Sequence, residues 1–195
     1  MREPFLYSYP PLISGILQRR YKRFLADIEL ETGELITAHC ANTGPMIGLC
    51  AVGSKVMVSK SDNPKRKLAY TWEMIAVENG KESVWVGINT SLPNRIIKIA
   101  LEKQLISPLA SQYSTVKSEV KFGHDGKSRI DFLLTGDESQ KPLYVEVKNT
   151  TLAENNVALF PDTATTRGQK HLQELINLSS DNQGVMLYFI NRGDC

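Results

Sequence analysis

Arg129-Ile130-Asp131-Phe132-Leu133-Leu134-Thr135-Gly136-Asp137-Glu138-Ser139-Gln140-Lys141-Pro142-Leu143-Tyr144-Val145-Glu146-Val147-Lys148-Asn149 is the stretch on which the fold of this chain turns. Ile130 to Thr135 and Leu143 to Val147 are rich in aliphatic and aromatic residues, and Gly136 to Gln140 between them is turn-like. The segment therefore reads as a β-hairpin. Symmetry about Glu138 and Ser139 sets Asp131 opposite Glu146. Opposed residues of an antiparallel pair stand roughly 4.5–5.5 Å apart at Cβ, and like charges there repel. Lys148 lies two residues after Glu146, on the same face of its strand.

Two readings of these charges compete. A solvated hairpin face with an incidental ion pair would keep apolar residues on one face only. Instead Leu133 shares the face of Asp131, and Val145 and Val147 flank Glu146. Both faces read as covered, and two facing carboxylates there are costly unless a cation belongs between them. Mg²⁺ takes oxygen ligands and is usually held by one or two carboxylates plus substrate phosphate. The metal reading assigns Mg²⁺ or Mn²⁺ to Asp131 and Glu146, with the Val147 carbonyl as a further donor. Glu119, in Ser118-Glu119-Val120-Lys121, is either another ligand or a surface glutamate beside two lysines. Lys148 would orient a water or stabilise charge on phosphate. The reaction class is metal-assisted phosphodiester hydrolysis, with Asp131, Glu146 and Lys148 as catalytic residues.

Working outward, the first half, to about Asn89, reads mainly as β. Strands are expected at Lys22 to Leu30, Leu35 to Cys40, Lys55 to Ser59, Tyr70 to Val77 and Ser83 to Ile88. Glu31-Thr32-Gly33-Glu34 forms a turn, and Asn79-Gly80 is a strong hairpin signal. Five short strands fit an OB-like barrel, with a small β-sandwich as the alternative. Two basic clusters accompany them: Arg20, Lys22 and Arg23 around Tyr21 and Phe24, and Lys65-Arg66-Lys67 in a loop. Lysine and arginine neutralise phosphate and aromatics stack on bases, so these clusters are candidate nucleic-acid contacts; each is alternatively a solvated basic face.

After Pro93 the period changes. Ile96, Ile97, Ala100, Leu101 and Leu105 suit an amphipathic helix ending near Pro108. A second helix is expected from about Thr165 to Leu178, burying Leu172, Leu175 and Ile176. Arg167 and Lys170 lie near its start, where the helix dipole gives a basic residue nothing. They meet either phosphate or a salt-bridge partner such as Asp162 or Glu174. His171 reads as a packed histidine rather than a catalytic base. The order strand, hairpin, long loop, helix, strand fits a mixed α/β core.

These residues carry a family resemblance. The D-x(14)-E-x-K spacing resembles the core of the PD-(D/E)XK nuclease-like fold. More specific is the whole string Ser118-Glu119-Val120-Lys121-Phe122-Gly123, Ser128-Arg129-Ile130-Asp131-Phe132, Val145-Glu146-Val147-Lys148, Thr151-Leu152-Ala153-Glu154, Phe160-Pro161-Asp162 and Arg167-Gly168-Gln169-Lys170-His171-Leu172. Together with Arg20-Tyr21-Lys22-Arg23-Phe24, Asn42-Thr43-Gly44 and Asn63-Pro64-Lys65-Arg66-Lys67, it resembles the sugar fermentation stimulation protein A (SfsA) family. The resemblance implies an α+β chain: an OB-like amino-terminal domain, residues 1–89, and a nuclease-like domain, residues 90–195. It also implies DNA binding with little sequence preference and a link to regulation of sugar (maltose) catabolism. SfsA-like chains continue past Asn191-Arg192-Gly193-Asp194-Cys195 with another helical and strand segment, so an uncovered sheet edge open to self-association is expected.

Composition sets outer bounds. A chain of 195 residues, 42% hydrophobic, holds one large or two small packed domains. No apolar run approaches the roughly 18–20 residues of a membrane span. Met1-Arg2-Glu3-Pro4 lacks a secretory apolar core, so a cytoplasmic location without membrane association is expected. Cys40, Cys50 and Cys195 form no C-x-x-C pair and read as free thiols. A net charge of +2 carries no global polyanion signal; the basic clusters carry it locally.

Overall fold

The structure is a computed structural model that describes residues 5–80, 82–123, 126, 128–178 and 182–195. Met1-Arg2-Glu3-Pro4 lies outside the described residues. Twelve strands and two helices are described. β1 (Leu12–Tyr21), β2 (Leu25–Leu30), β3 (Leu35–His39), β4 (Lys55–Lys60), β5 (Tyr70–Asn79) and β6 (Glu82–Gly87) precede α1 (Leu92–Glu102). β7 (Thr115–Phe122), β8 (Ser128–Thr135), β9 (Leu143–Thr150), β10 (Leu152–Glu154), β11 (Val157–Leu159), α2 (Thr166–Ile176) and β12 (Gln183–Ile190) follow. The described residues form two compact units, one within 8–91, 149–163 and 190–195, the other within 5–7, 92–148 and 164–189. The division near residue 90 is thus not purely sequential: two later segments group with the first unit. Within that unit Val86 bridges Arg192, and the Gly87 amide donates to the Asn191 carbonyl at 2.9 Å.

In the first unit the sheet runs β3-β2-β1-β4-β5-β6, and a parallel pairing of Ala38 with Tyr70 and His39 with Thr71 joins β3 back to β5. Strands β1 to β5 therefore return on themselves in the order 1-2-3-5-4, the OB-like arrangement. Leu17, Ile28, Trp72, Val58 and Ile75 fill its interior. Each such burial contributes roughly 1.5–3 kcal/mol. The Trp72 indole N–H is satisfied by the Met74 carbonyl at 2.9 Å.

Sequence reasoning expects the first strand to begin at Lys22. Here the structure differs: β1 comes earlier, and Lys22 and Arg23 sit in the turn with φ of 49° and 66°. The alternation of β1 is masked twice. Its register shifts between Leu17 and Arg19, which puts one extra residue into the strand. Gly15 interrupts the apolar pattern because β2 crosses it closely. A Cβ there would lie 2.6 Å from Ile28 Cγ2 and 2.8 Å from the Glu29 carbonyl oxygen.

In the second unit the four-stranded sheet runs β12-β9-β8-β7. β8 and β9 pair as Phe132 with Val145, Leu133 with Tyr144 and Leu134 with Leu143. This is the register expected from the hairpin's symmetry. One core gathers Phe132, Leu134, Leu143, Val145 and Leu101 of α1; a second joins Phe122, Ile130 and Leu175 of α2. Thr165 caps α2, its hydroxyl accepting from the Gly168 amide at 3.0 Å. Leu175 is buried as expected, but Leu172 and Ile176 are 45% and 66% exposed. The face that α2 turns inward carries His171, Glu174 and Leu175 instead, because the sheet beneath offers it charge as well as apolar surface.

Candidate metal and phosphate site

The ladder between β7 and β8 pairs Ser118 with Phe132 and Val120 with Ile130, but skips the intervening step, where Glu119 and Asp131 would oppose each other. Glu119 has φ of 54°, a left-handed conformation that costs a side-chain-bearing residue energy inside a strand. On the other side, the β8–β9 pairing stops at Phe132. Asp131 thus sits where both ladders open, and its carboxylate takes up what the backbone releases. Oδ2 accepts from the Val147 amide at 2.7 Å, and Oδ1 accepts from Nδ2 of Asn94 on α1, also at 2.7 Å.

Glu146 is only 4% exposed. Its Oε1 receives the Lys148 ammonium from two residues along β9 and lies 2.9 Å from His171 Nδ1 on α2. Its Oε2 is buried and has no hydrogen-bond partner. An unmet buried acceptor costs about 1–3 kcal/mol, more when charged. Burial pushes the Asp131 carboxyl above its ordinary range. The Val147 amide pulls it back, the Glu146 charge pushes it up again, and Asn94 and Lys148 offset part of the rise.

Asp131, Glu146 and Glu119 line one cleft of about 450 Å³, together with Ser128, Arg129, Thr166, Arg167, Lys170 and His171. The donors suit a hard divalent cation: two carboxylates, one with an unsatisfied oxygen, are enough for Mg²⁺ when waters and substrate phosphate complete the shell. Among the described residues, no three His, Cys, Asp or Glu side chains already form a cage. Glu119 therefore lines the cleft without closing a ligand triad. Arg129, Arg167 and Lys170 are exposed at this cleft. Lys170 Nζ also stands 3.6 Å from Glu174 Oε1, the salt-bridge partner anticipated for it.

The other basic candidates belong to the first unit. Arg20, Lys22 and Arg23 lie at and beside the β1–β2 turn, and Lys65, Arg66 and Lys67 in the β4–β5 loop. These are the two loops with which OB folds commonly hold oligonucleotides. Their side chains differ in freedom. Arg20 Nη2 donates to the carbonyls of Arg23, Asn42 and Gly44, and Arg23 Nε donates to that of Thr43. These two arginines clamp the 42–44 loop. Lys22, Lys65 and Lys67 are exposed, and Arg66 donates to Thr71 Oγ1 at 3.0 Å.

The model of the sugar fermentation stimulation protein RE domain matches residues 91–195, and that of the SfsA N-terminal OB domain matches residues 19–88. The chain belongs to the sugar fermentation stimulation protein family. Within it, a sugar fermentation stimulation protein homolog of Crocosphaera subtropica is 66% identical over 195 residues, spanning 100% of this chain and 80% of the relative. The homolog of Rippkaea orientalis is 63% identical, spanning 100% and 79%. The structure of Pyrococcus furiosus SfsA in complex with Ca²⁺ superposes with a TM-score of 0.81 at 25% identity, covering 97% of this chain and 77% of that one.

Two partners of the cleft carboxylates carry less evident signals. Asn94 carries no local signal, because only tertiary packing brings α1 to Asp131. His171 carried one: Arg167, Lys170, His171 and Glu174 recur at helical spacing and so share a face. Rather than a histidine packed in an apolar core, it is a direct partner of Glu146.

Proposed function

We propose that this protein binds DNA with little sequence preference and that the cleft of its second unit is a divalent-cation site that hydrolyses phosphodiester bonds. The observation that carries the reading is the buried, unpartnered Oε2 of Glu146 beside Asp131. Mg²⁺ or Mn²⁺ bound there would polarise the phosphate and activate water. Asp131 and Glu146 are the residues that would hold it. Asn94 and the Val147 amide fix the Asp131 carboxylate, and His171 fixes that of Glu146. Lys148, now paired with Glu146, would supply positive charge to the phosphate if Glu146 held the cation. Arg129, Arg167 and Lys170 offer the DNA backbone positive charge at the cleft, and the exposed lysines of the first unit offer it more. The P. furiosus SfsA complex with Ca²⁺, another oxygen-seeking cation, is consistent with this. The relatives' name points to sugar fermentation, and regulation of sugar (maltose) catabolism is the proposed setting.

A second reading, a DNA-binding regulator that does not cut, draws on one observation. Lys148 already pairs with Glu146 Oε1, and His171 Nδ1 lies within hydrogen-bond distance of the same oxygen. Calorimetric titration with Mg²⁺ and Mn²⁺ tests the cation site. Asp131→Ala and Glu146→Ala should each weaken binding at least tenfold, and unchanged affinity in both would rule the site out.

A further inference from the structure

On the outer face of the first unit, beside the turn that carries Lys22 and Arg23, β1 to β3 build a side-chain assembly that stability alone does not explain. The register shift at Leu17 and Arg19 lets Gln18 reach Glu29 while Arg19 pairs with Asp27 on the same face. Asp27 is 7% exposed although it lies on the outward side of the sheet. Three donors converge on its carboxylate: Arg19 Nε at 2.7 Å, Thr37 Oγ1 at 2.8 Å and the Tyr21 hydroxyl at 3.2 Å. The Arg19 guanidinium carbon lies 4.6 Å from the Tyr21 ring centroid.

Burying a carboxylate under an arginine is at best neutral for stability compared with apolar packing, and an arginine at the surface gains little from such a pair. What the assembly achieves is orientation. Asp27 and Tyr21 hold the Arg19 guanidinium over one ring, while 67% of the Arg19 side chain remains exposed. Its opposite side is positively charged and open to solvent. Beside it along the chain, the turn presents exposed Lys22 and Phe24, the latter 46% exposed.

We infer that Arg19, stacked on Tyr21 and oriented by Asp27 and Thr37, is a stacking platform for an unpaired base of single-stranded DNA, with Phe24 and Lys22 serving the neighbouring nucleotide. A flat cation over an aromatic ring matches the face of any base, and stacking of this kind is tolerant of sequence. Duplex DNA keeps its base faces inside the stack and offers this plane only phosphate. Asp27 is a positioning residue, acting through Arg19. The inference rests on the DNA-binding reading above and adds to it the strand form and the residues.

The test is fluorescence anisotropy of the full chain with a labelled 12-nucleotide oligothymidine and with a duplex of the same length, in chelator. Arg19→Lys keeps the charge but loses the plane; Tyr21→Leu loses the ring; Tyr21→Phe keeps it. Arg19→Lys and Tyr21→Leu should weaken single-strand binding about tenfold, the effect of one lost base stack, and change duplex binding less than twofold. The salt slope should be unaltered for Arg19→Lys, and Tyr21→Phe should stay within about threefold of the parent. Thermal melts identify any variant that fails to fold. Equal single-strand affinity for the parent and folded Arg19→Lys and Tyr21→Leu overturns the platform and leaves general DNA binding standing. Parallel losses on single strand and duplex also overturn it, since they mark loss of a phosphate contact. No binding of either DNA by the parent overturns both readings.

Discussion

The amide of Val147 donates to Oδ2 of Asp131 at 2.7 Å, at the step where the β8–β9 pairing ends. A side chain of β8 thus replaces a backbone acceptor, and the two strands part while their polar groups stay satisfied. That parting leaves Asp131 and Glu146 lining one cleft, where the Glu146 charge still pushes the Asp131 carboxyl up. Asn94 completes the Asp131 shell, whereas Glu146 keeps one oxygen unmet.

The cost of that arrangement should be measurable. Burial holds Asp131 above its ordinary pKa, so its charged form is disfavoured in the folded chain. Asp131→Asn removes the charge while keeping an acceptor for Val147, and the Asn94 amide can turn to suit. The variant should melt at higher temperature without added cation, a gain of about 1 kcal/mol, and lose the Mn²⁺-dependent rise in melting temperature. Thermal unfolding with and without Mn²⁺ reads both effects.

Asp27 should tie stability to pH in the opposite direction. Burial raises its carboxyl, but hydrogen bonds from Arg19, Thr37 and Tyr21, with the Arg19 charge, outweigh this and hold it below the ordinary range. A folded pKa below the unfolded one adds stability that is complete above the unfolded value, about 3.9. That stability is lost as pH falls through the folded pKa. Urea unfolding between pH 7 and pH 3 should show a smaller acid loss for Asp27→Asn than for the parent. Equal slopes would show that the three donors do not depress the carboxyl.

Gly15 tests why β1 is hard to recognise. Gly15→Ala places a Cβ against Ile28 Cγ2 and the Glu29 carbonyl, and the latter cannot turn aside. A loss of roughly 1–3 kcal/mol is expected, as for overpacking elsewhere. Denaturant midpoints measure it, with the slope unchanged if the unfolded state is unaffected.

Neutralising Lys65, Arg66 and Lys67 together should weaken binding to all DNA sequences alike and flatten the salt dependence by roughly two to three in slope. Salt titrations of the triple variant on two unrelated duplexes check this. An unaltered slope would place the β4–β5 loop off the DNA.

The legible parts of this chain were those in which pattern and position coincide. The 130–147 hairpin could be counted from its turn, and the count lands on the observed register because period-two pairing leaves no slack. Lys65-Arg66-Lys67 could be placed in a loop because Asn63-Pro64 precedes it. What escaped depends on through-space packing. The β1 bulge hid a strand and moved Lys22 and Arg23 into a turn. Arg20 reads as a phosphate ligand, and nothing in its spacing signals that its Nη2 also holds the carbonyls of the 42–44 loop. Leu172 and Ile176 looked like core by spacing, yet the sheet takes the His171 side of α2. On that side His171 meets Glu146 and Leu175 supplies the apolar contact.

The most direct measurement is incubation of purified protein with linear, supercoiled and single-stranded DNA, in Mg²⁺, in Mn²⁺ and in chelator, beside an identically purified Lys148→Ala variant. Cutting that needs the cation and falls at least a hundredfold in the variant is expected, while retardation of DNA in chelator persists in both. DNA that stays intact under every condition, or cutting that survives in Lys148→Ala, would rule out phosphodiester hydrolysis at this cleft.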